Sequence, residues 1–154
     1  MISSMDSAES DTIGQRLYDL IAALYPICRS ITGDGLRRTL RILQDHIPLT
    51  IHEVPTGTEV FAWTIPKEWN IRAAYIKNER GDRVVDFQDS NLHVVNYSVP
   101  VHETMTLEEL RPHLHTLPDQ PDLVPYRTSY YNKTWGFCLR HNQLETLREG
   151  AYEV

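Results

Sequence analysis

The sequence predicts a mixed α/β (α+β) fold, and three observations carry that reading. Apolar residues recur at helical spacing through the N-terminal third. From Leu49 onward the period falls to two, with turn residues between short runs. A last helical pattern and a strand-like "AYEV" segment follow, from Asn142 to Val154.

Thr12 and Gln15 have the spacing of a capping box, so the first helix is expected to start near Thr12. Ile13, Leu17, Ile21 and Leu24 then form one apolar stripe, and Pro26 ends the helix because it has no N–H to donate. After "SITGDG", Leu36, Leu40, Leu43 and Ile47 mark the buried face of a second helix. Asp34 sits at its positive end and Pro48 closes it. "LTIHEV" and "VFAWTI" read as strands around the turn "PTGT", with Phe61, Trp63 and Ile65 on one face. "IRAAYI" and "RVVDF" form a hairpin whose Gly81 supplies the positive φ, and "LHVVNY" is a further strand.

Thr106 and Glu109 make a second capping box, before a helix that Pro112 keeps short. Pro118, Pro121 and Pro125 predict an extended connector. Residues 128 to 142, "TSYYNKTWGFCLRHN", read as a strand, a turn at Asn132-Lys133 and a strand through Phe137. Asn142 with Glu145 caps a last helix carrying Leu144 and Leu147, and Gly150 is placed as its C-cap.

Composition narrows the function. The net charge of −6 argues against a general nucleic-acid binder, which needs a basic face for phosphate. No apolar run reaches membrane-span length, so no membrane partner is expected. Residues 1–12 are polar and acidic, and read as a disordered lead-in rather than a secretory signal. Two cysteines, Cys28 and Cys138, are too few for a disulfide framework and suit a reducing, cytoplasmic setting.

No complete catalytic constellation is visible. The seven histidines include no His-Glu-x-x-His, and the cysteines lack zinc-finger spacing. Cys138 lies between Phe137 and Leu139 and reads as a small buried hydrophobe, not as a nucleophile served by His141. "SITGDGLRR" is either a plain turn and cap or an anion contact at a helix start. Gly33, Gly35 and Arg37 are the anion-binding candidates.

The densest chemistry lies near Trp135: five of fourteen aromatics fall within the twelve residues from Tyr126 to Phe137. Strand alternation sends some of these rings into the core. Arg127, Tyr130, Tyr131 and Trp135 are the candidates to line a cleft for a peptide or sugar ligand.

"LYPICRSITGDGLRRTLRIL", "IHEVPTGTEVFAWTIPKEWNIRAAYI", "VVDFQDSNLHVVNYS" and "PYRTSYYNKTWGFCLRHN" together resemble one bacterial family. These are the aminopeptidase-like proteins associated with polysaccharide-biosynthesis gene clusters, similar to zinc exopeptidases of the bacterial leucyl aminopeptidase type. The resemblance implies that 13–66 and 142–154 are part of an aminopeptidase-like α/β domain, the two N-terminal helices and a strand opening it. Residues 67–141 would be an inserted, smaller β-rich domain. Zinc is implied as cofactor, with metal-dependent hydrolysis of a peptide or amide bond. No residue of this chain matches a metal ligand or catalytic group, since the family's ligands lie on later loops. The chain is therefore expected to be an N-terminal portion, non-catalytic alone and completed by a C-terminal half or a partner chain. The alternative is a carbohydrate- or peptide-binding or structural module. An incomplete domain should also leave exposed apolar helix faces.

Overall fold

The structure is a computed structural model, and it describes residues 7–130 and 132–154. It is an α+β fold whose chain divides into two compact units, Met1–His52 and Glu53–Val154.

In the first unit α1 spans Ser7–Leu24 and α2 spans Asp34–Gln44. The helix α1 starts ahead of the expected Thr12 cap. Extending a formed helix costs one residue's conformation per hydrogen bond, and "SAESD" contains no breaker. The stripe on α1 is largely exposed: Ile13 at 39%, Leu17 at 56% and Ile21 at 64%.

On α2 the buried residue is Thr39, whereas Leu36, Leu40 and Leu43 are half-buried. Ile47, expected on the buried face, is exposed because the helix has already ended at its C-cap, Asp45. The preceding turn passes close to α2. A Cβ built on Gly35 would stand 1.9 Å from the Cys28 carbonyl oxygen, so only glycine fits there.

The second unit opens with a hairpin of β1 (Glu59–Val60) and β2 (Trp63–Thr64), in which Val60 pairs with Trp63. Two segments depart from the strands expected of them. "LTIHEV" forms no strand, and "VFAWTI" is not one strand but turns back at Phe61, which has φ 54° and is fully exposed. Alternation marks residues that could pair; it does not supply the partner.

A four-stranded antiparallel sheet has the order β4-β3-β8-β5, formed by β3 (Tyr75–Lys77), β4 (Arg83–Asp86), β5 (Thr104–Thr106) and β8 (Ala151–Glu153). The β3–β4 hairpin and its Gly81 at φ 83° are as the sequence predicts. The capping box is present as well. Thr106 Oγ1 accepts from the Glu109 N–H, and the Glu109 carboxylate accepts from the Thr106 N–H, starting α3 (Leu107–Leu110).

A second pairing is parallel, between β6 (Leu114–His115) and β7 (Phe137–Cys138). "LHVVNY" departs from the strand expected of it. A 3-10 turn, Asn91–His93, overlaps its start, and it makes two isolated bridges, Val94 to Phe137 and Asn96 to Thr128. The last helix, α4, spans His141–Thr146 with Arg140 as N-cap. Asn142 does not cap it, because its side-chain amide donates to Asp122 Oδ1 at 2.7 Å. Gly150 is not its C-cap either: Leu147 takes that place, and Gly150 lies against the Glu79 carboxylate. Ile76, Leu107, Leu110 and Leu139 are the most deeply buried apolar side chains, and Phe137 and Tyr152 pack in the same core. Among the described residues no helix is long and apolar enough to cross a membrane.

Candidate functional site

The aromatic stretch is held by Asn96, which is buried and bonded through its N–H, its carbonyl and its side-chain amide nitrogen. Its N–H donates to the Arg127 carbonyl at 2.9 Å, and its own carbonyl accepts from the Ser129 N–H at 2.9 Å. Its side-chain amide donates to the Tyr126 hydroxyl at 3.2 Å. This clamp fixes two residues in left-handed backbone conformations, Tyr97 at φ 68° and Tyr130 at φ 47°. Such conformations cost about 1–3 kcal/mol each and persist only where surrounding contacts impose them.

The strain brings rings together. Tyr130 stacks on Tyr97 with centroids 5.9 Å apart, and Tyr97 stacks on Trp69, also at 5.9 Å. Trp69 is anchored in turn, its indole N–H donating to the Ser98 carbonyl at 3.0 Å. The outer ring of this ladder, Tyr130, is exposed, as is Arg127. Tyr131, the neighbouring candidate, lies outside the described residues.

Trp135 is half-buried and belongs to a different contact set. Its ring lies flat on His113, with centroids 3.7 Å apart and planes 4° apart, and meets Phe137 edge-on. His113 Nδ1 donates to the Trp135 carbonyl at 3.0 Å. Trp69 and Trp135 both line a cavity of about 230 Å³ beside the four-stranded sheet. Of the candidates, Tyr130 ends the ladder and Trp135 lines the cavity, and Trp69 belongs to both. Sequence reasoning missed Trp69, Tyr97 and Asn96; the left-handed turn at Tyr97 that joins them leaves no pattern in the sequence.

Cys138 is fully buried, and its thiol is pushed up to about 11 by burial, against smaller opposing effects of Arg127. The contacts of His141 lie elsewhere: its Nδ1 is 3.0 Å from Thr116 Oγ1 and its Nε2 is 3.8 Å from Glu145 Oε1. With a pKa of about 11, roughly one Cys138 thiol in a thousand is ionised at pH 8. Native protein treated with an aromatic disulfide reagent at pH 8 should therefore release one equivalent, from the half-buried Cys28. The second should appear only on unfolding. Rapid release of both would contradict this burial.

At the other candidate, Gly33 is the N-cap of α2 with φ 97°, and Arg37 Nη1 pairs with Asp34 Oδ1 at 3.1 Å. That carboxylate already occupies the positive end of the helix. Among the described residues, no three His, Cys, Asp or Glu side chains gather closely enough to hold a metal ion.

Fold and site together define an α+β module that combines a strained aromatic cluster with a small cavity. The chain belongs to the family described as "Domain of unknown function (DUF2172)", which matches residues 68–154. It is 57% identical, over 145 residues, to a Clostridium acetobutylicum protein named "Putative polysaccharide biosynthesis protein with aminopeptidase-like domain". That match covers 94% of this chain and 33% of the relative. A crystal structure titled as a "putative peptidase" from Clostridium acetobutylicum superposes with a TM-score of 0.92 at 56% identity, over 94% of this chain and 34% of the other. The chain spans about a third of the length of these relatives.

Proposed function

We propose that this chain is the N-terminal portion of a zinc aminopeptidase-like protein, cytoplasmic and serving polysaccharide biosynthesis. There it supplies scaffold and one wall of a substrate groove, and does not hydrolyse a peptide or amide bond alone. The observation that carries the reading is its close likeness to only a third of a protein named for an aminopeptidase-like domain. The described residues do not fit a zinc site, so in this reading the ligands and the general base belong to the remainder of the longer protein. The exposed stripe of α1 offers that remainder an apolar face to cover.

Within this reading the groove wall is the exposed end of the aromatic ladder, Tyr130 with Arg127 beside it. The second reading, a binding module for a sugar or peptide with no hydrolytic partner, draws on the same exposed ring. A protein of the relatives' length, supplied with zinc and assayed on leucyl p-nitroanilide, tests the assignment. Tyr130→Ala should raise KM several-fold with kcat and melting temperature little changed. An unchanged KM with a lower melting temperature would leave Tyr130 only a packing role.

A further inference from the structure

The cavity lies past the end of β8, lined by the residues that precede β5 and by Ala73 to Tyr75 at the start of β3. Glu103 and Val154 exchange both backbone hydrogen bonds, Val154 N–H to the Glu103 carbonyl at 2.9 Å and Glu103 N–H to the Val154 carbonyl at 3.3 Å. They are therefore a hydrogen-bonded antiparallel pair, and the next such pair falls two residues further along each chain. Carried past Val154, this register sets the second following residue opposite Val101. On the other side Lys77 pairs with Glu153, which sets the first following residue opposite Tyr75 and the third opposite Ala73.

The backbone groups on both banks are oriented for this. The Ala74 carbonyl accepts from Phe87 N–H at 2.9 Å, so Ala74 turns toward β4 and its neighbours Ala73 and Tyr75 turn toward the gap. Among the described residues neither Ala73 nor Val101 has a backbone hydrogen-bond partner. Ala73, Ala74 and Tyr75 line one bank of the cavity, Pro100 and Val101 the other, and Val154 one end. Strands lie ~4.8 Å apart, so removing one from between two others leaves a gap of roughly 10 Å edged with unpaired peptide groups.

We infer that this cavity is a slot for a β-strand, filled by the polypeptide that follows Val154 in a protein of the relatives' length, and not a small-molecule pocket. The inference rests on the proposed reading of the chain as part of a longer protein. The side-chain period supports it. Tyr152 and Val154 point into the core, so the second residue of the incoming strand points the same way, toward Trp135 and Phe137. That residue is apolar, and its neighbours on either side face outward. The sheet is then joined through its centre to the rest of the longer protein, which couples the aromatic cluster to whatever follows.

Appending Thr-Val-Thr-Val after Val154 tests the slot without substrate or metal, so its outcome is separate from that of the hydrolysis assay. The valines occupy the inward positions. A Thr-Pro-Thr-Pro tail is the control, because proline cannot donate to the Val101 carbonyl. The Val tail should slow amide exchange at Tyr75, Ala73 and Val101 at least tenfold, raise the melting temperature by several degrees and shift the tryptophan emission. The Pro tail should do none of these. Equal behaviour of the two tails would overturn the inference. So would saturable quenching of the untailed chain by N-acetylglucosamine or N-acetylleucine amide that the Val tail does not abolish, or concentration-dependent protection of the same amides in the untailed chain, the mark of a second copy.

Discussion

Replacing Gly35 by alanine is expected to dislodge the start of α2 from the preceding turn. The new Cβ would stand 1.9 Å from the Cys28 carbonyl oxygen, 3.0 Å from its carbon and 3.5 Å from the Arg29 Cα. All three are backbone atoms, so no side-chain rotation relieves the clash and one segment must move. The cost should lie at the upper end of single substitutions, about 3 kcal/mol or more. Denaturant unfolding followed by circular dichroism would show it as a lower midpoint for the helical signal. Cys28 provides an independent reading: once α2 no longer approaches its carbonyl, its half-buried thiol should react faster. An unchanged midpoint together with unchanged Cys28 reactivity would show that the turn and helix are not in the contact described.

Leu139→Ala should have a comparable effect in the second unit. Leu139 is fully buried in the same core as Phe137 and Leu114, and its N–H donates to the His115 carbonyl at 3.1 Å. Truncation there removes apolar contacts and leaves a cavity, a loss of about 2–5 kcal/mol. Leu139→Met, close in volume, should cost less than about 1.5 kcal/mol. Leu123→Ala is the surface control: at 54% exposure its effect should stay within about 0.5 kcal/mol. Equal losses at Leu139 and Leu123 would contradict the placement of the core.

The same sequence devices succeeded at some positions and failed at others, for identifiable reasons. The Thr106–Glu109 box formed because both partners are local and nothing competes for them. Thr12 and Gln15 have the same spacing but lie inside a helix that begins earlier, and Gln15 donates to Asp19 instead. Asn142 is drawn away from capping by Asp122, twenty residues distant in sequence and invisible to a local pattern. The "IRAAYI"–"RVVDF" hairpin was legible because its turn is between its strands. The parallel pairing of β6 with β7 and the insertion of β8 between β3 and β5 were not, since nothing local names a distant partner. Burial of Cys138 followed from its apolar neighbours. The ladder from Trp69 through Tyr97 to Tyr130 did not, because it depends on two strained tyrosines imposed by Asn96.

The proposed division of labour, scaffold and groove wall here with metal chemistry elsewhere, is tested most directly by incubating this chain alone with zinc. Bound metal is measured after dialysis, and leucyl p-nitroanilide is then supplied. The account predicts no stoichiometric, tightly held zinc and no turnover above that of zinc in buffer. One tightly bound zinc per chain, with hydrolysis that a chelator abolishes, would contradict it.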